Sequence, residues 1–133
     1  VAAFTRAKGE MGDAGRDLTL TLSRVAHMAT SNAERQRKVE AAHHYYGRFD
    51  NVFTGPGDVK NGVITPLPAK TSLEDLSESL LICTAQDMID KLGPYADLGI
   101  DRVILNVNFG LDQQESLDTI QHFAEDVMPH FAA

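Results

Sequence analysis

Cysteine is almost absent from this chain. Cys83 is the single one among 133 residues, which excludes an intramolecular disulfide framework and fits a reducing compartment, so a cytoplasmic location is the expectation. Basic residues are also scarce, with 12 Lys and Arg against 19 Asp and Glu and a net charge of −7. Nucleic acid and anionic membrane surfaces both require clustered cations, so neither is an expected partner. No apolar run approaches the roughly 18 residues of a membrane span. Glycine-rich nucleotide cradles, a P-loop, a nucleophile elbow and catalytic-triad spacing are all missing. No Glu-x-x-His or His-x-x-x-His pair supports a metal centre. His43 and His44 are sequence neighbours, which on a helix diverge by about 100° and cannot chelate one ion together. Cys83 has no adjacent His and reads as buried filler, so metal binding is not expected. There is no initiator Met and no signal peptide. Val1 leads straight into the helix-like run AAFTRAK, from which the true start is expected to lie upstream.

What is present has the composition of a globular protein, 43% hydrophobic and 23% charged, at a length that supplies one domain or part of one. The organising stretch is Leu80 to Gly110, a β-α-β signature. Leu80 to Ile82 forms a short apolar strand, and Thr84 with Asp87 three residues on makes a capping box. Met88, Ile89, Leu92, Ala96 and Leu98 recur at helical spacing, and Gly99 stands where a left-handed C-terminal cap is wanted. Gly93-Pro94 predicts a kink or a restart inside that helix. Val103 to Val107 reads as a strand covered on both faces, parallel to the first through a right-handed crossover. Ile104, Asn106 and Asn108 share one face of it, and Val103, Leu105 and Val107 the other. Amides at the carboxyl end of a parallel strand stand where α/β proteins place ligand contacts. Asn106 and Asn108 are therefore candidate cofactor- or substrate-lining residues, the alternative being that they bond only loop backbone.

Upstream, Gly9, Gly12 and Gly15 loosen the connection after a first helical piece. Leu18 to Ala29 alternates, with Leu18, Leu20 and Leu22 on one face and Thr19, Thr21, Ser23, Val25 and His27 on the other. Ser31 and Glu34 form a second capping box, opening a helix to about Tyr46 with Val39, Ala42 and Tyr46 on its stripe. Residues 48–71 are irregular: Phe49, Val52 and Phe53 precede Gly55-Pro56-Gly57, and Asn61-Gly62 predicts a small hairpin turn. A loop this long is expected to be mobile or to act as a lid or binding element. Its Phe49 and Phe53 suit an apolar substrate or a flavin edge, or else pack under the loop as a satellite core. A short helix from Thr71 or Ser72 carries Leu73 and Leu76. The last helix is expected from about Asp112, with Glu115 closing a third capping box and Leu117, Ile120, Ala124 and Val127 as its buried stripe beside Phe123, until Pro129.

The segments ESLLICTAQDMIDKLGPYADLGIDRVILNVNFG and HFAEDVMPHF together resemble the carboxyl-terminal part of the luciferase-like flavin-dependent monooxygenases. LSRVAHMATSNAE looks like a strand-and-helix start of the same family, and RFDNVFTGPG resembles a loop of some members. The resemblance implies parallel strands alternating with helices in a (β/α)8 TIM barrel. Such a barrel needs roughly 250 residues, so residues 1–133 would be its carboxyl-terminal half, with a loop insertion at about 48–71. It implies reduced FMN supplied by a separate flavin reductase, reaction with O₂, and oxygenation of a small organic substrate. The family's main flavin-phosphate contacts and several catalytic positions lie in the amino-terminal half. This polypeptide alone is therefore expected to be inactive, to bind flavin weakly, and to associate with that half or with itself. His27 falls where relatives often have an aromatic and would face the barrel interior. Arg24 falls on a recurrent arginine and Cys83 on a frequent glycine, and no catalytic role is assigned to any of them. Two other readings stay open: a deazaflavin-dependent oxidoreductase of the same fold, and a non-catalytic small α/β binding module.

Overall fold

The computed structural model describes residues 1–68 and 70–132. In chain order it contains α1 (Ala2–Glu10), a 3₁₀ turn (Gly12–Gly15), β1 (Thr21–Met28), α2 (Asn32–Phe53), β2 (Val59–Lys60), β3 (Val63–Ile64), α3 (Leu73–Ser79), β4 (Leu81–Cys83), α4 (Ala85–Asp97), β5 (Arg102–Asn106) and α5 (Gln113–His122). A wide π turn (Phe123–Val127) and a 3₁₀ turn (Met128–His130) continue α5. The three longer segments read as strands are mutually parallel, as expected. Ala26 pairs with Leu81 and Met28 with Cys83 on one side of β1, and Thr21 pairs with Arg102 and Val25 with Asn106 on the other.

The strand order is β4-β1-β5. Consecutive strands of a (β/α)8 barrel lie side by side, whereas here β1 separates its two successors. The described residues form an open parallel sheet with alternating helices, as expected of an α/β chain, and show no barrel closure. The chain leaves β1 toward one edge and returns past it to the other. Right-handed crossovers then place α2 and α4 on opposite faces.

Each face has its own core. Val25, Ile82 and Phe109 pack with Val39 and Ala42 of α2 and Leu76 of α3. Ala26, Met28, Leu81 and Cys83 pack with Met88 and Leu92 of α4 and Val127 of the π turn. The polar face of β1 is thus covered by α2 at its carboxyl half and does not look into a barrel. Nor is β5 covered on both faces: Val103 and Leu105 are packed, but Ile104 on the α2 side is 53% exposed.

Local chemistry explains the boundaries. Thr84 accepts the Asp87 N–H at 3.2 Å to start α4. That helix continues through Pro94 and ends in a Schellman motif, Ile100 N–H on Tyr95 O at 3.1 Å, with Gly99 at φ +77°. Ser31 caps α2 by accepting the Glu34 N–H at 3.2 Å. This helix runs seven residues past the expected Tyr46, because Gly47 does not break it. A Cβ there would lie 2.7 Å from the Leu67 carbonyl, so glycine lets the returning loop dock directly on the helix. The Asn61-Gly62 hairpin forms with both residues at positive φ, as a type I′ turn requires.

At α5 the expected pattern fails in two ways. The capping box is only half formed: the Glu115 carboxylate reaches back to the Asp112 N–H, but Asp112 accepts the Gln114 N–H at 2.8 Å in place of the Glu115 N–H. Leu117 and Ile120 are exposed, while Thr119 and Val127 are buried. The helix docks with Thr119 Oγ1 accepting the Met28 N–H of β1 and with Val127 beyond it in the core, which turns Leu117 and Ile120 outward.

Candidate functional site

Parallel strands in α/β proteins present ligands at their carboxyl ends, at the point where successive connections diverge. Here that point lies above β1 and β5, and a buried polar cluster fills it. His27 is 0% exposed and Lys38 3%. Lys38 projects from α2 and donates to the Met28 carbonyl at 2.6 Å and to Glu34 Oε1 at 2.5 Å, with Glu115 Oε1 3.9 Å away. Glu34 Oε2 accepts from Thr30 N at 2.8 Å and Thr30 Oγ1 at 3.0 Å. Arg37 grips Glu115 of α5. Thr119 Oγ1 accepts the Met28 N–H at 3.2 Å and lies 2.8 Å from His27 Nδ1.

The electrostatics follow from those contacts. The Lys38 hydrogen bond, with help from the Thr30 N–H, holds Glu34 down to about 2. The Arg37 hydrogen bond lowers Glu115. Burial pushes His27 below its ordinary range and Cys83 above its own, so the imidazole is neutral and the thiol protonated near neutral pH. Among the described residues no group of three or more His, Cys, Asp and Glu side chains is placed to hold a metal ion, and no helix is long and apolar enough to cross a membrane.

Of the residues singled out in the sequence, Asn106 sits at this end. Its Nδ2 donates to Tyr45 Oη at 3.3 Å, and its Oδ1 accepts the Asn108 N–H at 3.3 Å, which orders the turn after β5. Asn108 is exposed next to it, and Phe109 beyond is buried against His27 with ring centroids 5.7 Å apart. His27 itself has no solvent access.

Phe49 and Phe53 are elsewhere. They continue a stripe from Tyr45 along α2, with Phe49 and Phe53 centroids 4.4 Å apart, and Phe53 is 68% exposed. Because α2 runs back against the strands, Phe53 lies about 12 Å along the helix from Tyr45, toward the amino ends of the sheet. The loop after it follows the same way. Asn51, fully buried, donates to Thr65 O at 2.6 Å and Asp58 O at 3.2 Å and accepts the Gly57 N–H at 2.9 Å. This places the loop beside the carboxyl-terminal half of α2, away from Asn106 and Asn108; Ala69 of the 48–71 stretch lies outside the described residues.

Lys38, Thr119 and Glu115 were not legible as partners in the sequence. Glu34 and Lys38 at i, i+4 were the one available signal, since such pairs face each other on a helix.

A second feature of the carboxyl end is a polar cleft of about 330 Å³ between β1 and β4, lined by Thr30, Ser31, Arg35, Cys83, Thr84 and Asp87. The amino ends of α2 and α4 both open here. Arg35 Nη2 donates to Ser77 O at 2.9 Å, and its Nε is buried without a partner among the described residues. Positive helix ends and a guanidinium suit an anion, opposed by the Asp87 carboxylate.

The fold and site define an α/β protein with a parallel three-stranded sheet and a polar carboxyl-terminal end. Over 120 residues the chain is 22% identical to the oxygenase component of flavin-dependent trigonelline monooxygenase from Acinetobacter baylyi, covering 85% of this chain and 33% of that protein. The chain thus spans about a third of the length of the curated relative it matches. No family model matches the chain, and no solved structure does.

Proposed function

We propose that this chain is the carboxyl-terminal part of a flavin-dependent monooxygenase that oxygenates a small organic substrate. The observation that carries the reading is the alignment of most of the chain with one third of an oxygenase component. The described residues fit part of a flavin mononucleotide. The polar cleft lined by Arg35, Thr30 and Thr84 suits its phosphate. The aromatic stripe of α2, exposed and lying toward the other end of the sheet, provides no opposite wall for its rings. A bound flavin would supply the oxygen chemistry; this chain would contribute anion contacts at Arg35 and amide contacts at Asn106 and Asn108. Flavin binding by the chain alone is accordingly weak, and the complete site needs the rest of the oxygenase or a second copy. A barrel in that larger protein requires β4 and β5 to become neighbours.

The strand order favours a second reading, a free-standing α/β binding module, because a helix already covers each face. Anaerobic titration of reduced FMN, followed by absorbance, separates the two. The oxygenase reading expects tight binding by the full gene product, weak binding by residues 1–133, and O₂ consumption only by the former. A full gene product without flavin affinity would refute it.

A further inference from the structure

The contact between α5 and β1 is made by groups whose arrangement favours the neutral imidazole. His27 Nδ1 has Thr119 Oγ1 at 2.8 Å and the Met28 carbonyl at 3.3 Å, and His27 Nε2 has only Thr119 Oγ1, at 3.4 Å. A protonated imidazole carries two N–H donors and needs two acceptors. The Met28 carbonyl already takes the Lys38 ammonium at 2.6 Å, and Thr119 Oγ1 already takes the Met28 N–H. The charged groups facing the ring are Lys38 and Glu34 on α2 and Glu115 on α5. Lys38 and Thr30 engage Glu34, and Arg37 engages Glu115. A charged ring would therefore sit buried, sharing one carbonyl with an ammonium, with Nε2 reaching only the Thr119 hydroxyl at 3.4 Å.

We propose that His27 is a pH-sensitive latch: the neutral ring holds α5 on β1 through Thr119, and the protonated ring releases it. Thr119 is the buried residue of α5, whose Leu117 and Ile120 face solvent; the helix is otherwise held by the Arg37–Glu115 pair and by Ser116 Oγ on the Val107 carbonyl at 3.2 Å, neither of which resists opening by apolar burial. Release opens the carboxyl ends of β1 and β5 and uncovers Phe109. The latch does not depend on the flavin reading.

Because burial lowers the folded-state value of His27, the closed state is fully favoured above about 6.5 and weakens as pH falls below it. The carboxylates Glu34 and Glu115, depressed from 4.5, contribute their own losses only at lower pH. His122 on α5 is exposed and pairs with Asp126 at 3.1 Å; a His122→Gln background removes it from the measurement.

Hydrogen exchange of the chain, corrected for intrinsic rates, tests the latch between pH 7.5 and 5.0. The α5 amides should lose protection progressively below 6.5, about tenfold per pH unit while the closed ring stays neutral and roughly thirtyfold at most by pH 5.0. The α4 amides should hold, and His27→Phe should abolish the change. Equal pH dependence in His27→Phe, no loss in α5, or parallel loss in α4 and α5 would each overturn the proposal. If His27→Phe does not fold, the ring nitrogens of His27 followed by NMR in the parent give the answer: protonation coincident with α5 opening supports the latch, and protonation with α5 closed refutes it.

Discussion

Replacing Lys38 by Met tests the central cluster directly, since Met keeps the aliphatic stem and removes the charge. The ammonium is 3% exposed and donates to the Met28 carbonyl at 2.6 Å and Glu34 at 2.5 Å. Removing one partner of a buried ion pair typically costs about 3–5 kcal/mol, because the other charge is left without its counterion. Glu34 retains the two Thr30 contacts and is 29% exposed, so water recovers part of that loss. The expected cost at pH 7 is about 2–3 kcal/mol. A second signature lies in acid. Glu34 is depressed from 4.5 to about 2, so it contributes stability above pH 4.5 that is lost as pH falls toward 2. The full displacement corresponds to about 3 kcal/mol, and partial solvation of the carboxylate reduces the expected loss to about 1–2 kcal/mol. In Lys38→Met that acid loss should shrink. Urea unfolding followed by circular dichroism at pH 7 and pH 3, on the parent, Lys38→Met, Glu34→Gln and the double variant, measures both. A coupling of about 1–3 kcal/mol is expected. A Lys38→Met midpoint matching the parent, with strictly additive effects in the cycle, would refute the argument.

Asn51→Ala removes three hydrogen bonds that hold the 57–65 loop on α2; about 2 kcal/mol should be lost, with loop amides exchanging faster than those of α4. Two helical glycines should respond with opposite sign. Gly93→Ala meets no distant atom within 4 Å and should stabilise α4 by up to about 0.5–1 kcal/mol, less whatever crowding the adjacent Pro94 ring adds. Gly47→Ala drives a Cβ to 2.7 Å from the Leu67 carbonyl and should cost about 1–3 kcal/mol despite better helix propensity. Thermal melts of both variants decide it.

Much of the secondary structure was legible because its causes are local. Thr84 and Asp87 start α4 by a hydroxyl three residues from an amide, and Gly99 ends it through a backbone angle favoured by the absent Cβ. Asn61-Gly62 turns the hairpin for the same reason. The parallel direction of β1, β4 and β5 followed from the helices between them, and Asn106 was placed at the carboxyl end of β5 by its position in the apolar run.

What the tertiary structure decided were the interactions between distant segments. Strand order depends on which edge of β1 each later strand finds, and apolar runs such as Leu80 to Ile82 and Val103 to Val107 suit either edge equally. The length of α2 was set by Leu67 returning onto Gly47. The rotation of α5 was set by partners far away in sequence: Thr119 Oγ1 accepts the Met28 N–H across 91 positions and Val127 enters the α4-side core, which leaves Leu117 and Ile120 exposed. The burial of His27 and Lys38 arose likewise, since a polar side chain goes inside only where the fold brings it partners, and those partners come from β1, α2 and α5 together.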